Sequence, residues 1–287
     1  LKILYVTDLH GDEKKYNKVL EIAIEENFDA IINGGDMLPK DDVFFYEQNK
    51  FINGFLTTYF NELKQANIQY YCMLGNDDMG IVDRIFNVVV AKYTNIHIIN
   101  HEPAILSGSK IQIFGINLVK DYPFRLKDRC RLDSSNDVPN AHQIGTPLMS
   151  TGTDLGDFIK FKVIQDYNDY LKRKPTIECA LEGLPQVDKE VISILVTHQP
   201  PAHLGLDVCR NKDKVGSDAV YRYIAQAQPS LSLHGHIHES YFTSGFYANK
   251  INNTVCIQPG QDFSHLTYVD IEINGKDIKH KWRNIKI

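Results

Sequence analysis

Seven side chains stand out by type and spacing: Asp8 and His10, Asp36 after Gly34-Gly35, Asn76 after Gly75, His198, and His236 and His238 after Gly235. They supply imidazole nitrogens and carboxylate or carboxamide oxygens, without a thiolate and with too few carboxylates for a calcium cage. That donor mixture suits Mn, Fe, Zn, Co or Ni. The set is too large for one tetrahedral ion and about right for two ions of higher coordination, with Asp36 as a bridging carboxylate and the ions ~3.5–4 Å apart. A pair of divalent transition-metal ions is therefore the expected cofactor.

The elements that must position these residues are written in the apolar pattern. Residues 2–7 form a short β-type run that stops at Asp8, and Asp12 can cap a helix whose apolar residues Tyr16, Val19, Leu20, Ala23 and Ile24 recur at helical spacing. A buried strand at 30–32 runs into Asp36, so strand, helix and strand form a βαβ unit with a parallel sheet. A longer helical pattern, in which Phe44, Gln48, Phe51, Ile52, Phe55, Leu56, Tyr59, Phe60 and Leu63 share a face, leads to a third strand that ends before Asn76. A helix at 81–90 precedes strand-like pieces at 96–99 and 111–116, which are expected to continue that sheet. The strand at 191–196 ends before His198, and Ser217 can cap the helix that feeds the strand ending at His234. In open α/β sheets, ligands gather beyond the carboxyl ends of the strands, so one rim would collect all seven side chains. Glycine before Asp36, Asn76 and His236 lets the backbone approach a shared centre without a Cβ in the way. His234 is read as structural.

Residues 118–156 break this rhythm, being polar, rich in proline and glycine, and long for a connection inside a compact domain. Such segments tend to be functional or disordered. The chain is expected to be one domain, 1–287, with this stretch as an irregular insertion. Residues 157–173 and 176–184 read as helices, and the end of the chain, from 254, as an antiparallel meander. Within the insertion, residues 122–131 combine aromatic and basic side chains; they are either a solvated charged loop or a flap in which Arg125 and Arg129 clamp substrate phosphate.

With 31 Lys and Arg against 36 Asp and Glu, the formal charge is -5, which gives no support to a nuclease or to binding of anionic lipid. Five scattered cysteines without a Cys-x-x-Cys, no membrane-length apolar run and no signal-like start lead to the expectation of a cytoplasmic protein with no membrane partner. Oligomeric state is not legible.

The order Asp-x-His, Gly-Asp, Gly-Asn, a strand-end His and Gly-His-x-His, running from Asp8 to His238, resembles the calcineurin-like metallophosphoesterase family. The resemblance implies a sandwich of two β-sheets flanked by helices. It also implies that Asp8, His10 and His238 hold one metal, that Asn76, His198 and His236 hold the other, and that Asp36 holds both. The implied reaction is hydrolysis of a phosphoester by a hydroxide bridging the ions, with Asn76 and its neighbour Asp77 at the reacting centre. The family often has His after Gly-Asn, where this chain has Asp77. A carboxylate there would repel a phosphate dianion, so phosphodiesters or nucleotide-like small molecules are the expected substrates. The alternative is a scaffold or binding protein of weak or no activity on the same fold.

Overall fold

The computed structural model of the chain describes residues 1–40, 44–106, 108–140, 142–152 and 159–287. In chain order, strand β1 (Lys2–Val6) leads to helix α1 (Glu13–Glu25), whose N-terminus is capped by Asp12 accepting from Lys14 N and Lys15 N. Strand β2 (Ala30–Asn33) is followed by α2 (Phe44–Phe51), a π-helical segment at Ile52–Leu56 and α3 (Thr57–Gln65). Next come β3 (Gln69–Cys72), α4 (Asp83–Val90), β4 (Ile96–Ile98), β5 (Ala104–Ile105) and β6 (Gln112–Ile116). Strands β7 (Val119–Lys120), β8 (Cys130–Arg131), β9 (Leu148–Gly152) and β10 (Ile159–Val163) precede helices α5 (Tyr167–Lys172) and α6 (Ile177–Glu182). The chain closes with β11 (Ser193–Thr197), α7 (Asp218–Ala227), β12 (Leu231–Leu233), α8 (Ser240–Ser244), β13 (Ala248–Ile251), β14 (Thr254–Ile257), β15 (His265–Asn274) and β16 (Asp277–Lys286).

Two six-stranded sheets result, one in the order β16-β15-β1-β2-β3-β4 and the other in the order β13-β14-β12-β11-β6-β5. Each is mixed: β1 to β4 are parallel, as are β6, β11, β12 and β14, and antiparallel strands flank them. Strand alternation decides what each face buries. Ile3 and Tyr5 of β1 face inward with Ile32, Tyr71 and Met73, against Ile113, Ile194, Val196, Leu231, Leu233 and Ile257 of the other sheet. Leu4 and Val6 face outward and pack with Tyr16 and Val19 of α1, Phe60 of α3 and Phe86 of α4. On the far side, Phe114 and Leu195 meet Ile177 and Leu181 of α6 and Val220 and Ile224 of α7. The fold is therefore the expected two-sheet sandwich flanked by helices, and among the described residues no helix is long and apolar enough to cross a membrane.

Three expectations need correction. Strand β6 does not extend the first sheet; it pairs parallel with β11, about eighty residues later, in the second. The helix expected at 157–173 begins only at Tyr167, because residues 159–163 are the strand β10, paired antiparallel with β9; residues 157 and 158 lie outside the described residues. Ile159, Phe161 and Val163 alternate with Lys160 and Lys162, a period of two that fits a strand. The expected terminal meander is broken because β14, though antiparallel to β13, runs parallel to β12 in the second sheet, while β15 and β16 pair antiparallel in the first.

The 118–156 stretch carries β7, β8 and β9 and packs Val119, Tyr122, Cys130 and Leu132 against Leu171 of α5; residues 141 and 153–156 lie outside the described residues. Lys127, fully buried, secures it by an ion pair with Asp121 at 3.0 Å and by donating to the Tyr122 carbonyl. Asp133 accepts the N–H groups of Asp218 and Ala219 at 2.7 and 3.1 Å and so ties the insertion to the first turn of α7, beside the Ser217 cap.

Candidate metal centre

Both sheets deliver strand ends to one rim. In the first, Val6 pairs with Asn33 and Asn33 with Cys72, so Asp8, Asp36 and Asn76 all lie just past the carboxyl ends. In the second, Val196 pairs with Leu233, which places His198 and the 234–238 turn at the same level. Pairing continues beyond the strands: Asp8 N–H donates to Gly35 O, His10 N–H to Asp36 O and Gly235 N–H to His198 O, at 2.9, 2.9 and 3.0 Å. The Tyr5 hydroxyl crosses between the sheets to the His234 carbonyl at 2.7 Å.

Close approach is what the glycines before the ligands provide. A Cβ on Gly75 would lie 2.3 Å from both N and Oδ1 of Asp36, and one on Gly235 would lie 2.1 Å from Thr7 Oγ1 and 2.7 Å from Asp8 Oδ2. The left-handed backbone sits on the ligand candidates themselves, with φ of 57° at Asp8, 45° at His10, 50° at Asp36 and 72° at His236. Non-glycine residues adopt this region at a cost, and four such residues around one centre mark a site whose geometry the rest of the fold enforces.

Ligand atoms of Asp8, His10, Asp36 and His238 all lie within 4.8 Å of one another. His10 Nε2 is 2.9 Å from His238 Nε2, and His238 Nε2 is 3.4 Å from Asp8 Oδ1. Against this group, His198 Nε2 lies 3.0 Å from Asn76 Oδ1, 3.4 Å from Asp36 Oδ2 and 3.9 Å from Asp8 Oδ1. The His236 ring is 5.4 Å from that of His198, centroid to centroid, and its backbone N–H donates to Asp8. All seven candidates thus meet at one place, with Asp36 between the two groups. The arrangement fits divalent ions: two buried carboxylates face four imidazoles, and the Nδ1 of His198 is 2.9 Å from the Gly34 carbonyl, so donation there leaves Nε2 free to ligate. The Nδ1 of His10 is buried without a hydrogen-bond partner among the described residues.

The ligand candidates differ in charge: burial works against protonated His198 and His238, but the Asp36 and Asp8 carboxylates outweigh it and hold His198 at about 9 and His238 above its ordinary value, so an arriving ion must displace a proton from each. Burial works against the Asp8 carboxylate, but the hydrogen bond and charge of His238 and the charge of His198 outweigh it and hold its pKa at about 2. Asp36 is likewise held well below the usual carboxylate range, its burial overcome by His198. Burial drives His10 to about 4 and His236 to about 3, so both are neutral lone-pair donors near pH 7. His234 is also pushed to about 3 by burial, and its Nδ1 lies 2.9 Å from Thr197 Oγ1; it faces the strand rather than the centre.

Of the remaining candidates, Asp77 is at the site: Asn76 Nδ2 donates to its Oδ1 at 3.1 Å, and its N–H donates to Asp36 Oδ1 at 2.8 Å. Burial and the Asp36 charge raise its pKa, opposed by Lys40. Arg129 does not reach the pocket. Its Nε donates to the Gly75 carbonyl at 2.8 Å and its Nη2 meets Asp83 at 2.5 Å, so the guanidinium braces the Asn76 loop instead of clamping substrate. Arg125 is exposed, and its stem lies against Gly145, outside the lining of the cavity in front of the centre.

Four further side chains support the centre, and of these only Gln48 and Lys40 were not read from the sequence as lying near it. Asp78 accepts the N–H groups of Met37, Leu38 and Gly75 at 3.0, 2.8 and 2.7 Å and so clamps the loops after β2 and β3 together. Gln258 donates to the carbonyls of Gly235 and Ile237 at 3.2 and 2.6 Å and holds the His236 turn. Gln48 and Lys40 act at Asp77. Gln48 carried a signal, being a polar residue on an otherwise apolar helical face; Lys40 carried none.

The cavity in front of the centre has a volume of about 740 Å³ and is walled by Tyr122, Pro123, Phe124 and Ile144 on its apolar side. Asp36, Asp77, Asp121, Asp213 and Glu239 outnumber Lys40, Lys120 and Arg210 along it.

The profile described as calcineurin-like phosphoesterase matches residues 1–240. The search of curated proteins found no match. Among solved structures, TT1561 of Thermus thermophilus superposes with a TM-score of 0.55 at 14% identity, over 98% of this chain and 97% of that one. A dimetal phosphatase from Danio rerio superposes at 0.51 with 10% identity, over 100% and 98%. A third crystal structure reaches 0.63 at 15% identity over 98% of both chains. At these identities the likeness is one of fold.

Proposed function

Because the chain belongs to the calcineurin-like phosphoesterase family, we propose that it is a phosphoester hydrolase that works with two divalent transition-metal ions, acting on phosphodiesters or nucleotide-like small molecules. The observation that carries the reading is the meeting of Asp8, His10, Asp36 and His238 within 4.8 Å, with His198 and Asn76 on the other side of Asp36. Asp8, His10 and His238 would hold one ion, Asn76, His198 and His236 the other, and Asp36 both. Such a pair, when bound, supplies a nucleophilic water at neutral pH and neutralises phosphoryl oxygens. The Danio rerio relative is itself described as a dimetal phosphatase.

The residues of the chain set the rest. Buried Asp8 and Asp36 stay ionised and give the centre its negative charge. The cavity volume suits a small molecule, and its apolar wall suits an organic substituent on phosphorus.

The test is one panel: metal content by elemental analysis, then hydrolysis of monoester, diester and cyclic nucleotide substrates with Mn, Ni, Fe and Zn. Metal-dependent turnover with diesters preferred is expected. Faster hydrolysis of alkyl monoesters would overturn the substrate class, and bound metal without turnover on any substrate would favour a binding role.

A further inference from the structure

Asp77 and Lys40 form a unit that the proposed hydrolysis leaves unused. Lys40 lies on the loop after β2, four residues beyond Asp36, and its Nζ is 2.5 Å from Asp77 Oδ2. The two loops are splinted from behind by Gln48, which is fully buried. Its amide donates to the Pro39 carbonyl at 3.1 Å and to the Asp77 carbonyl at 2.9 Å, and its Oε1 accepts the Met79 N–H at 3.1 Å. Pro39 in turn packs on Gly11, where a Cβ would lie 2.4 Å from the proline ring. A lysine at a protein surface ordinarily keeps its rotamer freedom and gains little from an ion pair. Here the backbone beneath it is locked, and its head is drawn to a buried carboxylate.

The side chain of Lys40 is nevertheless 45% exposed, and it lines the same cavity as Asp36, Asn76, Asp77 and His238. Its Nζ also sits over the Phe124 ring, 5.7 Å from the centroid, on the apolar wall. An ammonium has three N–H donors, and Asp77 occupies one direction only. A fixed cation with donors to spare, beside the ligand Asn76, is what a phosphoryl oxygen or the leaving oxygen requires. Both carboxylate oxygens of Asp77 are engaged, Oδ1 by Asn76 Nδ2 and Oδ2 by Lys40 Nζ, so it serves the reaction by holding Lys40.

We infer that Lys40 is the side-chain cation that contacts the substrate phosphoryl group in this site, and that Asp77 is its positioning residue. This rests on the phosphohydrolase reading, and it replaces a direct role for Asp77.

The experiment compares Lys40→Met, Lys40→Arg, Asp77→Asn and the Lys40→Met/Asp77→Asn double variant with wild type, all metal-loaded. It reads kcat/KM on bis(4-nitrophenyl) phosphate, the inhibition constant of inorganic phosphate, and metal content. Lys40→Met is expected to lower kcat/KM by about 10- to 100-fold and to weaken phosphate inhibition about ten-fold, with metal content unchanged. Lys40→Arg should recover part of both. Asp77→Asn should be costly in the wild-type background and close to neutral beside Lys40→Met, because it acts through that side chain. The inference is overturned if Lys40→Met stays within about two-fold of wild type in both readouts, or if Asp77→Asn is equally damaging in both backgrounds. Should metal-loaded wild type turn over nothing, the hydrolase reading fails, and Lys40 is judged by calorimetric binding of inorganic phosphate. Ten-fold weaker binding to Lys40→Met would then support its role; equal binding, or none by wild type, would overturn it.

Discussion

Replacing Gly75 with alanine tests how closely the loops after β2 and β3 must approach for their ligands to share one centre. The added Cβ would lie 2.3 Å from Asp36 N and Oδ1 and 2.9 Å from Asp36 Cγ. Comfortable contact needs ~3.5 Å, so the loops must part by about 1 Å. They are not free to do so, because Asp77 N–H donates to Asp36 Oδ1 at 2.8 Å and Asp78 binds Met37, Leu38 and Gly75 at once. Overpacking of this kind costs ~1–3 kcal/mol, which for a chain of this size lowers Tm by roughly 2–4 °C per kcal/mol. The functional loss should be larger, since a misplacement of ~1 Å at a reacting centre costs about 100-fold in rate. Thermal unfolding without metal, metal content and kcat/KM on bis(4-nitrophenyl) phosphate read the three effects. Gly54→Ala is the control: Gly54 is exposed in the π-helical segment with nothing within 4 Å of the new methyl, and the change should be neutral or stabilising by up to ~1 kcal/mol. A Gly75→Ala protein with wild-type metal content and rate would refute the close-approach argument.

Asp36→Asn removes the charge shared by both ligand groups and should abolish metal retention and turnover together; an ion-depleted preparation that stays active would contradict it. Arg129→Met strips the Gly75 carbonyl of its donor and leaves Asp83 unpaired, so Tm should fall by an amount equivalent to ~1–3 kcal/mol, whereas Arg125→Ala should leave Tm unchanged. Lys127→Met leaves the buried Asp121 without its counter-ion and should destabilise by about 3–5 kcal/mol, seen in denaturant titration; a shift below about 1 kcal/mol would mean the ion pair is dispensable. Asp12→Ala deletes the acceptor for two N–H groups of α1 and should cost ~1 kcal/mol in the same titration.

The rim was legible because the ligand candidates follow apolar runs too short for helices and bounded by glycine or turn residues, which read as buried strands whose carboxyl ends share an edge. The caps Asp12 and Ser217 were legible for a similarly local reason, since each precedes its helix and accepts from it. Pairing across long separations was not. Nothing in residues 111–116 says that Ile113 will lie beside Ile194 rather than beside the first sheet. Residues 159–163 were misread because the helical pattern that follows them masked a two-residue alternation only five residues long. At the site, Asn76 and His236 could be found from their glycines, but Lys40 could not. Its role depends on Asp77, thirty-seven residues away, and on the buried Gln48 joining their loops.

The claim on which everything else rests is that one rim holds two ions through a shared Asp36. Elemental analysis of protein reconstituted with Mn or Zn and freed of excess ion measures it directly. About two equivalents per wild-type chain are predicted, with both lost in Asp36→Asn. A single equivalent at saturation, or two that survive Asp36→Asn, would contradict the account.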